Sequence, residues 1–305
     1  MKLLSMNVAG RARAGVVVGD YALDVAGYCE LIGEAETIST VPRDALDLYK
    51  LGNGFFQAHL SRLASDAPLT ERCREAGVLR PLAAIKLNPP VITPGKILAV
   101  GLNYAAHAAE QDKKPPESPL IFSKNVTALI GPEDEIRLPR ISEQVDYEAE
   151  LAVVIGKEAR SVTAANAFEH VAGYTIVNDV TARDLQSRER QWARAKGLDT
   201  FAPCGPWLVT KEEIEDPHSL EIELRINGEV RQRSNTSDLI FKIPFLIEFI
   251  SQDLTLRPGD IISTGTPSGV GVFRQPPVFL KAGDEIEINV ARIGQLRNPV
   301  SARLE

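Results

Sequence analysis

The sequence predicts a β-rich α+β fold in two unequal parts, and three observations lead there. Short β-branched runs crowd the chain after residue 96. Two of those runs follow a Gly-Asp pair, in RPGDIIS and KAGDEIEI, as strands entered from a turn do. A proline-dense stretch, LNPPVITPGK at 87–96, cannot sit in a helix and sets the smaller N-terminal region apart. Regular strand–helix alternation, solenoid-length repeats and low-complexity tracts are all missing from the sequence, which excludes a doubly wound parallel sheet and repeat architectures.

In chain order, KLLSMNVA and AGVVVGDYALDVA read as strands, with Gly19-Asp20 as a turn between apolar runs. Residues 43–64 have helical spacing, weakened by Gly52 and Gly54. The proline stretch then places a boundary near residue 90, giving a small domain at 1–90 and a larger one at 91–305. The first contains no cluster of titratable groups that suggests chemistry. In the second, ILAVG, PLIFSK, AELAVVIG, GYTIVND, LEIELRING, DIISTG and DEIEINVARIG are the strands of a mostly antiparallel architecture. Helices are expected as interludes near 103–112, 163–171, 181–193 and 243–253.

Composition narrows the function. With 305 residues, 44% of them hydrophobic, the chain can bury a sizeable core. A net charge of -7 offers nothing to nucleic acid or an anionic membrane, and the arginines of 183–194 are interrupted by Asp184 and Glu189. The apolar opening is too short for a signal sequence, and no run approaches the roughly 20 apolar residues that span a bilayer. Cys29, Cys73 and Cys204 are scattered and odd in number, as in a reducing compartment; the expectation is a cytoplasmic protein. HExxH, GxSxG and CxxC motifs are missing, and STGTPSGVG lacks the GK[ST] ending of a phosphate loop.

Three segments carry chemistry. In VDYEAELAVVIG, strand alternation puts Asp146, Glu148 and Glu150 on one face. Three such carboxylates repel one another unless solvent or a cation neutralises them, so they belong either to an exposed edge or to a site for a hard cation with oxygen ligands. GYTIVND ends in Asp179, which either caps the helix that follows or faces a neighbouring strand end. On that helix Arg183, Gln186 and Arg190 form a polar stripe, either solvated or able to grip a substrate carboxylate. In VGLNYAAHAAEQ, His107 and Glu110 stand three residues apart on one helical face, as a surface pair or as a general base with its orienting carboxylate. The helix is short, Ala-rich and followed by Pro115-Pro116, so it is expected to move as a lid.

Read in series, GLNYAAHAAE, PLIFSKNVTALIGP, VDYEAELAVVIGK, GYTIVNDVTARDLQ, AKGLDTFAPCGPW and STGTPSGVG resemble the fumarylacetoacetate hydrolase family over about residues 95–295. The resemblance implies a mixed β-sandwich roll beside the small N-terminal domain, and Mg²⁺ or Mn²⁺ held by Glu148, Glu150 and Asp179. It implies His107 and Glu110 as the catalytic dyad with Lys196 as oxyanion stabiliser, and Arg183, Gln186, Lys124 and Thr266 along the substrate site. It also implies a homodimer. The animal fumarylacetoacetate hydrolases carry an additional aspartate ligand seven residues before the histidine; Val100 stands there, closer to the acylpyruvase-like and decarboxylase-like branch. The activity so implied is hydrolysis of a C–C bond in a small 2,4-dioxo acid, water being activated by His107. Decarboxylation of oxaloacetate, or isomerisation of a 2-oxo acid or 2-hydroxydienoate, is the alternative at the same site.

Overall fold

The computed structural model describes residues 1–38 and 40–302. It is a mixed α+β structure dominated by strands. A twelve-stranded sheet and a five-stranded sheet share one continuous core, and Val145–Asp146 and Thr181–Ala182 form a separate two-stranded pair. Pairing is antiparallel with three exceptions among the described residues: Ile261–Ser263 with Ile97–Gly101, Ala202–Thr210 with Leu129–Ile130, and Gly294–Ser301 with Ile136–Arg137.

Burial explains the two kinds of strand text. Ala149–Ile155 and Val171–Asn178 are buried at every position, because both faces of the large sheet are covered; their sequences are accordingly near-continuous apolar runs. Glu221–Ile226 and Glu285–Val290 bury alternate residues, and LEIELRI and DEIEINV alternate to match. The Gly-Asp pairs end tight turns: Asp260 accepts from the Arg257 amide at 2.6 Å and Asp284 from the Lys281 amide at 3.0 Å. Each carboxylate is buried and closes its own turn.

The N-terminal strands extend the large sheet. Lys2–Val8 lies antiparallel to Ala202–Thr210, in the register Leu3 to Leu208. Leu3, Phe56 and Leu63 belong to the same core cluster as Leu208 and Val209. The helix expected over 43–64 is two helices, Ala45–Tyr49 and Asn53–Ser65, broken at Gly52, whose φ of 80° is one that L side chains rarely adopt. The segment expected as a helix at 163–171 is a 3₁₀ helix, Ala164–His170. That at 181–193 begins as a strand, becomes a helix at Arg183–Glu189, and stops at Arg190 before a second short helix, Trp192–Lys196. The helices at 105–109 and 243–251 lie within their expected ranges. No described helix is long and apolar enough to cross a membrane.

Candidate active site

Two neighbouring strands of the large sheet end at one place. Ala149 pairs with Asn178, the Asp179 amide donates to the Glu148 carbonyl at 2.9 Å, and the Glu148 amide donates to Asn178 Oδ1 at 3.0 Å. This junction sets Glu148, Glu150 and Asp179 together with one carboxylate oxygen each, all within 4.8 Å of one another, and all three residues are buried. The Asp179 carboxylate caps no helix; the helix Arg183–Glu189 starts after Ala182.

Asp146 departs from the expected single face. The strand is interrupted between Asp146 and Ala149, so Asp146 turns away from the triad and binds Arg183 Nε at 2.8 Å. Its two oxygens also accept from the Gly271 amide at 2.7 Å and the Val272 amide at 3.0 Å. Arg183 reaches Glu148 through its other side at 2.6 Å and Gln186 at 3.2 Å. Its guanidinium is thus committed to the protein's own carboxylates.

Lys196 Nζ sits among Glu148 at 2.6 Å, Asp179 at 2.8 Å and the Thr181 hydroxyl at 2.8 Å, over the Phe122 ring. Lys124 lies behind Asp179, bonded to it and to the Lys196 and Val180 carbonyls, and is fully buried. Burial resists the Glu148 charge, but Lys196 and Arg183 outweigh it and hold the carboxyl well below the usual range. Burial acts against the Lys196 charge too, yet Asp179 and Glu148 keep its ammonium more firmly protonated than usual. Lys124 is lowered, its burial being the dominant cause.

Glu150 is the outlier. Among the described residues it has no cationic partner in hydrogen-bond contact, and accepts from the Ser263 hydroxyl at 2.5 Å and the Gly265 amide at 2.9 Å, both on one oxygen. Burial, then the charges of Asp179 and Glu148, push its carboxyl up to about 8. Three buried carboxylates crowded this closely, with one lacking a counter-charge, form a hard oxygen donor set suited to a divalent cation such as Mg²⁺ or Mn²⁺.

Above the triad, His107 Nδ1 lies 2.5 Å from Glu110 Oε1, and Glu110 Oε2 accepts from the Gly269 amide at 2.8 Å. Gly269 has φ 101°, and a Cβ there would meet the Arg231 carbonyl at 2.4 Å, so this amide donor requires glycine. On the other side of the ring, Gln111 Nε2 lies 3.0 Å from His107 Nε2, while Gln111 Oε1 accepts from Lys113 Nζ at 2.9 Å. An amide nitrogen only donates, so this arrangement leaves the lone pair on Nε2 and the proton on Nδ1, facing Glu110.

All of this surrounds a cavity of about 340 Å³, small among ligand sites, which run from roughly 300 to 1,000 Å³. Glu148, Glu150, Asp179, Arg183 and Lys196 form its buried floor; His107, Gln186 and Thr266 line it as well. Phe122, Trp192 and Phe273 supply apolar wall, and exposed Lys113 and Arg190 stand at the mouth. Of the ten site residues that the family resemblance implies, eight thus line the cavity and Glu110 binds His107, which does. Lys124 supports it from behind. Thr266 accepts from Gln232 Nε2 at 2.8 Å. Ser263 and Gln111 carry its geometry without having been singled out as site residues, while Asp146, grouped with Glu148 and Glu150 by strand alternation, serves the site through Arg183 and the loop amides instead.

The Fumarylacetoacetate (FAA) hydrolase C-terminal family model matches residues 96–301. The chain belongs to this family. Oxaloacetate tautomerase FAHD2A, mitochondrial, from Bos taurus is 45% identical over 263 residues, covering 86% of this chain and 81% of its own. Among solved structures, 5-carboxymethyl-2-hydroxymuconate delta-isomerase from Mycobacterium smegmatis aligns at TM-score 0.74 with 37% identity over the whole of both chains. Maleylpyruvate hydrolase from Sphingobium sp. SYK-6, solved in complex with manganese (II) ion and pyruvate, aligns at 0.76 with 32% identity, again over both full chains. Family members thus include enzymes named for tautomerisation, isomerisation and hydrolysis.

Proposed function

We propose that this chain interconverts the keto and enol forms of a small 2-oxo acid of the oxaloacetate type. The observation that carries the reading is the imidazole of His107, with its Nε2 lone pair turned into the cavity and its Nδ1 proton held by Glu110. The name of the bovine relative supports the substrate class. Glu148, Glu150 and Asp179 would hold Mg²⁺ or Mn²⁺, which when bound supplies positive charge where an enolate develops.

The chain's own residues account for the proton. Substrate displaces the Gln111 amide from His107, and Nε2 takes a proton from C3 while Glu110 steadies the imidazolium. Returning that proton to the oxygen on C2 completes the enol; the C3–H bond breaks, the C2–C3 double bond and an O–H bond form, and no co-reactant is consumed. Lys196, buried among Glu148, Asp179 and Thr181, keeps the floor neutral enough to admit an anion. The aromatic wall excludes water from the carbanion-like carbon.

A second reading, hydrolysis of a 2,4-dioxo acid, is favoured by the full-length likeness to maleylpyruvate hydrolase. There His107 would take its proton from water rather than from carbon. The deciding experiment follows the ultraviolet absorbance of enol-oxaloacetate and the cleavage of acetylpyruvate, with Mg²⁺ or Mn²⁺ and after chelation. Metal-dependent tautomerisation that His107→Ala abolishes without a change in thermal stability supports the first reading. Faster cleavage of acetylpyruvate replaces it with the second, and full activity after chelation refutes the metal site.

A further inference from the structure

We infer that Arg190 forms a second carboxylate subsite at the cavity mouth, which makes the preferred ligand a 2-oxo dicarboxylate. The inference rests on the reading above, in which the 2-oxo acid end of the ligand occupies the acidic floor.

The arginines around the mouth differ in their partners. Glu189 pairs with both Arg188, at 3.1 Å, and Arg194. Arg190, between them in sequence, forms no ion pair with any described residue, yet it is the one of the three that lines the cavity. The cations deeper in are spent: Arg183 on Asp146 and Glu148, Lys196 on Glu148 and Asp179. Lys113, the other cation at the mouth, is an ammonium hydrogen-bonded to the neutral Gln111 amide. An incoming anion therefore meets that ammonium and one guanidinium with no carboxylate partner among the described residues.

The backbone fixes where that guanidinium starts. Arg190 ends the helix Arg183–Glu189 in the left-handed conformation, φ 56° and ψ 21°, with its amide donating to the Gln186 carbonyl at 3.2 Å. Glycine or asparagine is the usual occupant of such a cap, and an arginine there is strained. The turn also removes Arg190 from the stripe that a continued helix would have made with Arg183 and Gln186. Its side chain leaves the chain at the mouth, while Arg183 remains on the floor. In a cavity of about 340 Å³, a ligand of a few carbons with its first carboxylate at the floor carries its far end into this opening. A planar guanidinium there suits a carboxylate bidentately.

The test compares two ligands that share an oxamate head: N-oxalylglycine, which ends in a carboxylate, and N-ethyloxamate, which ends in a methyl group. Their binding to the Mg²⁺-loaded protein is measured by calorimetry, independently of turnover. The native protein is expected to prefer N-oxalylglycine by about tenfold, the scale of one exposed charge-assisted contact. Arg190→Gln and Arg190→Gly should both lose that preference and bind N-ethyloxamate within about twofold of the native protein. Arg190→Lys should restore part of it. Arg190→Gly also relieves the backbone strain, so lost preference with undiminished thermal stability separates ligand recognition from a structural role. Equal binding of the two ligands to the native protein, or an unchanged preference in Arg190→Gln, overturns the subsite alone. Failure of the native protein to bind either ligand overturns the reading of the floor, and the subsite with it.

Discussion

Replacing Asp146 by alanine should damage both stability and activity, although this residue is not one of the three clustered carboxylates. Its side chain is fully buried and accepts from Arg183 Nε, the Gly271 and Val272 amides, and its neighbour's amide at Tyr147. Removing one member of a buried ion pair destabilises by about 3–5 kcal/mol, because the remaining charge is stranded. Here Arg183 retains Glu148, which moderates the loss, but the Gly271 and Val272 amides lose the carboxylate that accepts from them, at about 1–3 kcal/mol each. With the ion-pair loss moderated and Val272 only half-buried, these place the effect at about 3–5 kcal/mol. At about 2 °C per kcal/mol for a chain of this size, the melting temperature should fall by about 6–10 °C. Turnover should fall as well, because the freed loop carries the Gly269 amide that holds Glu110 and the Phe273 ring that faces His107. Scanning calorimetry and the tautomerisation assay measure the two effects. A melting temperature within 1 °C of the native value, with full activity, would refute the clamp.

Glu110→Gln should lower kcat by about 10–100-fold with little change in KM, since it removes the charge that steadies the imidazolium while leaving the floor intact; steady-state kinetics on oxaloacetate decide it. Hydrogen exchange over residues 103–116 should slow when oxalate and Mg²⁺ are added, as a lid that closes on the ligand would require, and equal protection in both states argues against a lid. Asp260→Ala should cost about 3 kcal/mol of stability by urea denaturation, because the fully buried carboxylate pairs with Lys96 and accepts from the Lys96 and Arg257 amides. Sedimentation should find a two-fold dimer, with a stable 33.3 kDa species at micromolar concentration as the refuting result.

Much of this site was legible because its residues are close in sequence or end recognisable strands. Glu148 and Glu150 share a face by simple alternation, and His107 and Glu110 by helical spacing. Asp179 was legible as the end of an apolar run. What local pattern could not convey was the interruption after Asp146, which separates it from its neighbours and hands it to Arg183. Nor could spacing show that the helix stops at Glu189, so that Arg183 and Arg190 occupy opposite levels of the cavity. The pairing of Lys2–Val8 with Ala202–Thr210 leaves no mark in either segment, since it spans two hundred residues of intervening chain. The glycine-rich STGTPSGVG, without the ending of a phosphate loop, still has backbone amides to offer an anion. The anions it meets in the structure are the protein's own carboxylates.

That loop has a consequence for how the sequence can change. Gly265, Gly269, Gly271 and Val272 donate main-chain amides to Glu150, Glu110 and Asp146, one carboxylate from each part of the site. Main-chain donors do not depend on side-chain identity, so many point substitutions at non-glycine positions of the loop leave these links in place. A deletion or insertion of a single residue between Ser263 and Val272 is a different event. It slides the amides out of step with their acceptors and disconnects the carboxylate triad, the His107–Glu110 pair and the arginine clamp together. Loop length, alongside the glycines that the loop requires, is therefore a property on which inheritance of this arrangement depends.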